Sequence, residues 1–197
     1  MIDEAVVAIR AGLVVVLPTD TVYGLAADAY RVEGRDALYS LKGRDVRQPS
    51  ALVAASVDVL LDCVPELPAP IVQVLLPGPF TLIFPNPGRR FAWLCGEEPA
   101  TIGVRVPVLA GPGRDVLDQV GAVVATSANL PGGLEPRRLD DVPSALRAAA
   151  AVLVDGGELP GIPSTILDLT GQEPRVVREG AGDAAAALAT LAGLRRD

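Results

Sequence analysis

Four polar clusters interrupt otherwise apolar stretches of this chain, and each carries groups able to hold an anion. Thr19-Asp20-Thr21 follows the run Leu13 to Leu17, and Thr126-Ser127-Ala128-Asn129 follows Ala122-Val123-Val124-Ala125. Pro163-Ser164-Thr165 enters Ile166-Leu167-Asp168-Leu169, while Arg105 and Arg178 stand singly among β-branched residues. Hydroxyls, amides and free backbone N–H groups at strand ends can wrap a phosphate. A guanidinium adds a rigid fork that matches carboxylate or phosphate. Each cluster also has an ordinary structural role: Thr, Ser and Asn cap turns and helices, and an arginine on an apolar strand suits a sheet edge.

A fifth feature is Lys42, the only lysine of the chain, in Leu41-Lys42-Gly43-Arg44. Its compact ammonium on a flexible stem is suited to following a phosphate. A cation at the end of a predicted helix equally complements the helix dipole. The chain contains no histidine, which removes the usual general base and every Ser-His or Cys-His nucleophile arrangement. There is no Walker A loop, Gly-x-Ser-x-Gly elbow or dinucleotide fingerprint. A cleft of hydroxyls and cations without a side-chain nucleophile fits nucleotidyl or phosphoryl transfer, where positioning and charge neutralisation supply most of the rate.

Composition narrows the setting. Half of the 197 residues are apolar and only 4% aromatic, so the core must come from Ala, Val and Leu, as suits layered α/β packing. A net charge of −7 argues against broad nucleic-acid binding. Cys63 and Cys95 are too far apart in sequence to form a redox motif or a disulfide framework. The acidic start Met1-Ile2-Asp3-Glu4 is unlike a secretory signal, and the run Leu13 to Leu17 is too short to span a bilayer. A cytoplasmic protein with no membrane contact is expected.

Apolar periodicity and Gly/Pro punctuation predict the elements that must position these residues. Helices are predicted near 3–11, 34–42, 57–62, 69–76, 113–119, 143–150 and 183–193. Strands are predicted at 13–17, 51–55, 80–84, 101–106, 122–125, 151–154, 164–169 and 175–178, with 85–99 a surface excursion that either forms a lid or does not. Without repeats or a long linker, the economical architecture is a single domain, 1–197, built on a twisted open mixed α/β sheet with flanking helices.

The order of motifs is more specific than any one of them. Pro18 to Leu25 (Pro-Thr-Asp-Thr-Val-Tyr-Gly-Leu), Lys42-Gly43-Arg44, Pro77 to Leu82, Gly103 to Pro107, Ser127-Ala128-Asn129, Pro163-Ser164-Thr165 and Arg178-Glu179-Gly180 together resemble the YrdC-like family of threonylcarbamoyl-AMP synthases. The resemblance runs from about Leu13 to Gly182. It implies a twisted open sheet with a concave cationic cavity. It also implies an enzyme that joins L-threonine, bicarbonate and ATP into threonylcarbamoyl-AMP with release of pyrophosphate, serving a separate tRNA-modifying transferase. Thr19, Arg105 and Ser164 match threonine-holding positions, with Arg105 facing the carboxylate. Lys42, Arg44, Thr101, Ser127, Asn129 and Arg178 match positions facing ATP, and Lys42 and Arg44 would offset charge on the phosphates. Mg²⁺ is expected with the triphosphate, no organic cofactor is implied, and tRNA contact is at most weak.

The chain departs from the family pattern in four places. Asp45 follows Arg44 where many relatives have proline, Val53 stands where some have histidine, and Pro131 replaces a serine after Ser127-Ala128-Asn129. The extra C-terminal domain of longer relatives is missing, so the short form is expected. Alternatives at this stage are a YrdC-like paralogue acting as an RNA-binding module, or one with another carbamoyl-transfer role.

Overall fold

Runs such as Leu13 to Leu17 and Ala122 to Ala125 have no polar face and are stable only when both faces are covered. In the computed structural model, which describes residues 1–194, they become inner strands of one sheet. The last three residues of the expected 1–197 unit lie outside the described residues.

The chain runs α1 (Ile2–Arg10), β1 (Val15–Pro18), β2 (Tyr23–Asp28), α2 (Val32–Lys42), β3 (Ala51–Ala54), α3 (Val57–Cys63), α4 (Ala69–Leu75) and β4 (Phe80–Pro85). It continues through β5 (Thr101–Arg105), α5 (Gly111–Val120), β6 (Ala122–Ser127), α6 (Ser144–Ala149), β7 (Val152–Leu153), β8 (Thr165–Asp168), β9 (Arg175–Arg178) and α7 (Ala184–Leu194). Nine strands form one sheet in the order β7-β1-β2-β6-β3-β5-β4-β8-β9. β1/β7, β3/β5 and β4/β8 pair in parallel, and the other neighbours are antiparallel. The sheet is mixed and open, as the apolar pattern predicts.

β2 is absent from the predicted elements. It returns antiparallel along β1, with Pro18 opposite Tyr23 and Val15 opposite Ala26, so Thr19 to Val22 form a hairpin turn. Gly24, Ala26 and Ala27 lack the β-branched signature of a strand, which is why the segment does not read as one.

The sheet's two faces are covered unequally. One face carries Val16, Leu25, Leu52, Leu82, Phe84, Ile102, Val104, Val124 and Leu167, all buried in one cluster with Leu38, Leu60, Val72 and Leu191 of the helices. Alternate residues, Val15, Leu17, Ala26, Val53 and Val123, point the other way and pack under Val6 and Ile9 of α1 and Val116 and Leu117 of α5. α5 sits close because a Cβ on Gly113 would lie 2.4 Å from the Pro18 carbonyl oxygen. Among the described residues, no helix packs over the remainder of that second face, toward β4, β8 and β9.

The 85–99 segment runs over the surface, with Pro85, Pro87 to Arg90, Glu97 and Glu98 exposed, but it is anchored from within. Asn86, Leu94 and Cys95 are buried, a single 3₁₀ turn spans Ala92–Leu94, and Trp93 Nε1 donates to the Ala29 carbonyl at 3.1 Å. The Asn86 amide ties the loop together by donating to the carbonyls of Arg90 (2.8 Å) and Pro99 (3.3 Å). Its apolar residues join the fully covered face, and none of them lines the cavity. The sequence's high Pro, Gly and charge content conceals this buried anchor.

Candidate functional site

The uncovered part of the second face is a cavity of about 320 Å³, within the size range of small-molecule sites. Its floor is made by alternate residues of adjacent strands: Ala51 and Val53 of β3, Gly103 and Arg105 of β5, Thr81 and Ile83 of β4, Ala125 and Ser127 of β6. Small side chains create the depth. A Cβ on Gly103 would meet nothing closer than 4.0 Å, so this glycine leaves open space above the sheet. The site thus lies across a sheet face as well as at strand ends, and Ser164 stands before β8 rather than after it.

At one end, Gly43 adopts φ 65 and stops α2 in the left-handed conformation, which turns Lys42 and Arg44 toward the same hydroxyl. Lys42 is 6% exposed, so this cation at the end of α2 is buried and not turned to solvent. Its Nζ donates to Thr126 Oγ1 (3.0 Å), the Ser127 carbonyl (2.6 Å) and Asn129 Oδ1 (3.3 Å). Arg44 donates to Thr126 Oγ1 at 3.3 Å and to the Pro49 carbonyl at 2.6 Å. Burial, then the charge of Arg44, push the Lys42 pKa down to about 8, and the charge of Glu135 pushes partly back.

At the other end, Arg105 pairs with the Asp20 carboxylate and donates to Thr21 Oγ1 at 2.9 Å. Asp20 is itself held by the Val108 N–H at 3.0 Å. Burial draws the Arg105 pKa down while Asp20 opposes it, and Arg178 adds to the depression. Arg105 Nε is buried without an acceptor. Arg178, on the edge strand, donates to the Ser164 carbonyl at 2.8 Å and to Ser164 Oγ at 3.3 Å. Ser164 Oγ also shares a hydrogen bond of 2.8 Å with Thr81 Oγ1.

Eight of the nine residues singled out in the sequence line this one cavity: Thr19, Lys42, Arg44, Thr101, Arg105, Ser127, Ser164 and Arg178. Asn129 does not. It stands behind Lys42, accepting from Lys42 and from Ser127 Oγ (2.7 Å) and donating to the Gly133 carbonyl (2.8 Å), so its amide is engaged in holding the loop. Thr19 lines the cavity, yet its hydroxyl serves its own turn, donating to the Val22 carbonyl at 2.7 Å and accepting from the Thr21 and Val22 N–H groups at 3.2 Å. Thr101 Oγ1 donates to the Glu98 carbonyl at 3.2 Å.

Polar lining residues that the sequence reading does not single out include Ser50, Thr81 and Glu135, while Thr126, named there only within its cluster, bridges Lys42 and Arg44. For Thr81 a signal existed, since it is the one polar residue in Phe80-Thr81-Leu82-Ile83-Phe84. Of the departures, Val53 lines the cavity in register with Arg105. Asp45 turns the loop by pairing with Arg47 (2.6 Å) and accepting its N–H (2.9 Å), and these hydrogen bonds hold its pKa down to about 2.

The chain is thus a small α/β protein whose mixed sheet carries, on its uncovered face, a ligand-sized cavity fringed by hydroxyls and four basic side chains. The chain belongs to the Sua5/YciO/YrdC family, whose model, described as telomere recombination, matches residues 7–180. A Mycobacterium tuberculosis protein, provisionally named a threonylcarbamoyl-AMP synthase, is 35% identical over 185 residues, covering 91% of this chain and 83% of its own length. The Bos taurus threonylcarbamoyl-AMP synthase is 33% identical over 84% of this chain and 62% of its own. Among solved structures, Pyrococcus abyssi Sua5 complexed with L-threonine superposes with a TM-score of 0.82 at 30% identity, covering 91% of this chain but only 54% of the other. Escherichia coli YciO also gives 0.82, at 26% identity, covering 95% of this chain and 92% of its own. This chain thus spans little more than half the length of the Pyrococcus protein and nearly all of YciO. Among the described residues, no helix is long and apolar enough to cross a membrane.

Proposed function

We propose that this chain is a cytoplasmic L-threonylcarbamoyl-AMP synthase, a nucleotidyltransferase using L-threonine, bicarbonate and ATP. The observation that carries this reading is the convergence of the threonine-facing and ATP-facing positions on one cavity, with Arg105 and Ser164 toward one end, joined there by Arg178 of the ATP-facing set, and Lys42, Arg44 and Ser127 toward the other. Named relatives of the family support the same activity.

The threonine amine combines with bicarbonate to give a carbamate and water. A carbamate oxygen then attacks the α-phosphorus as the bond to the β-phosphate breaks, and pyrophosphate leaves. The protein needs no nucleophile for this. Arg105 engages Asp20 and Thr21 through Nη2 alone, which leaves its other nitrogens for the substrate carboxylate, and Arg178 lies near enough to share that charge. Lys42 and Arg44 oppose charge on the phosphates, and the floor of small residues lets the two substrates approach in line. The adenylate would then pass to a separate tRNA-modifying transferase.

Mg²⁺, when bound to the triphosphate, would polarise its oxygens and offset their charge. The residues suit an ion carried in by the nucleotide rather than held in a protein cage. Among the described residues no group of three His, Cys, Asp or Glu could hold a metal, but Glu135 Oε2 is buried without a hydrogen-bond partner.

Purified protein supplied with ATP, bicarbonate and Mg²⁺ should release pyrophosphate only when L-threonine is added. Release that is absent, or indifferent to threonine, would overturn the assignment.

A further inference from the structure

Glu135 is the one acidic residue lining the cavity among the described residues, and the site's hydrogen bonding makes no use of it. Its Oε2 is shut away from solvent with no donor in reach. A carboxylate in that state carries a desolvation cost that only a cation or strong donor offsets. Lys42 lies close enough to feel its charge, but neither neighbouring cation donates to it. Lys42 directs three N–H donors at Thr126, Ser127 and Asn129, and Arg44 directs its terminal nitrogens at Thr126 and Pro49. The position is not a loose surface accident either, because the Pro136 carbonyl next to it accepts the Tyr23 N–H of β2 at 3.0 Å.

Glu135 stands at the Lys42 end of the cavity, where its charge is felt by the lysine. A polyphosphate drawn in by Lys42 and Arg44 would meet this carboxylate as a repulsive neighbour. A divalent ion between them turns repulsion into ligation, and Mg²⁺ is characteristically held by one or two carboxylates together with substrate phosphates. We propose that Glu135 is the protein's own ligand to the divalent cation of the bound nucleotide, so that the cavity selects the metal–ATP complex over free ATP. This rests on the reading of the cavity as an ATP site.

The test uses Mn²⁺ as a paramagnetic replacement for Mg²⁺ and a non-hydrolysable ATP analogue. Calorimetry gives the affinity of the analogue with and without metal, and water-proton relaxation reports Mn²⁺ in the complex. The wild type should bind the analogue more tightly with Mn²⁺. Glu135→Gln, nearly isosteric, and Glu135→Ala should each lose at least about tenfold of that metal-dependent gain, while metal-free affinity stays level or rises. Variants that retain the full gain would overturn the proposal, as would a wild type that binds the analogue equally with and without metal. A wild type that binds the analogue under neither condition would instead overturn the ATP reading itself.

Discussion

The two faces of the sheet are made from the same strands, residue by alternate residue, yet they are built to opposite rules. Under α2, α3, α4 and α7, the inward positions are Leu, Ile, Val and Phe, many with no exposure at all. On the other face, beyond α1 and α5, the corresponding positions are Gly103, Ala51, Ala125, Thr81 and Ser127, with Arg105 among them. One face is filled to give stability, and the other is emptied to give room. Substitutions on the two faces should therefore separate stability from ligand binding, in opposite proportions.

The largest loss of stability is expected from Leu82→Ala, since Leu82 is fully buried within the filled face. Chemical denaturation should show a cost of roughly 2–5 kcal/mol, while nucleotide affinity of the folded fraction stays unchanged. Lys42→Met tests the boundary between the faces. It would leave the Ser127 carbonyl and Asn129 Oδ1 without the donor they now share, so stability should fall by about 1–3 kcal/mol and nucleotide binding should weaken as well. A variant that lost binding with stability untouched would show that the lysine is purely a ligand contact.

Titration of the same residue should show the two roles with opposite signs. In the folded protein Lys42 has a pKa of about 8, against 10.5 unfolded. Above pH 8 the unfolded chain keeps a proton that the folded chain releases, so this group makes stability rise with pH between those values. From about pH 9 the thiols of Cys63 and Cys95, raised by burial, oppose the trend. Subtracting the Lys42→Met profile isolates the rise, and nucleotide affinity should fall over the same interval as the ammonium discharges. The smallest change in stability should come from Gly103→Val, within about 0.5 kcal/mol, because a Cβ there would meet nothing closer than 4.0 Å and the position lines the cavity. Its effect on binding should be near-complete loss. Retained affinity would mean that the substrates avoid the floor of the cavity.

Most of the filled face is legible in the sequence because uninterrupted apolar runs have only one use. The emptied face is harder to read. β2 escapes because Gly24 lines the open side and Ala26 packs closely beneath α1 and α5, so neither carries the strand signature. The hydroxyls and cations at strand ends are visible as residue types, but which of them reach the cavity depends on hydrogen bonds between distant segments. Asn129 is drawn behind Lys42 by such bonds, and the Thr19 hydroxyl is turned into its own hairpin. Glu135 has no periodicity to mark it, since a single acid in a Pro- and Gly-rich loop looks like any solvated residue. The 85–99 segment misleads for the converse reason: a few buried side chains and one asparagine amide outweigh its loop-like composition.

The cavity draws its lining from Thr19 at one extreme of the sequence to Arg178 at the other, across seven of the nine strands. No contiguous half of the chain holds both ends of the cavity, so the proposed site comes into being only with the completed sheet. A bound ligand is then a clasp on the whole topology: its free energy is linked to global unfolding rather than to the fraying of any one segment.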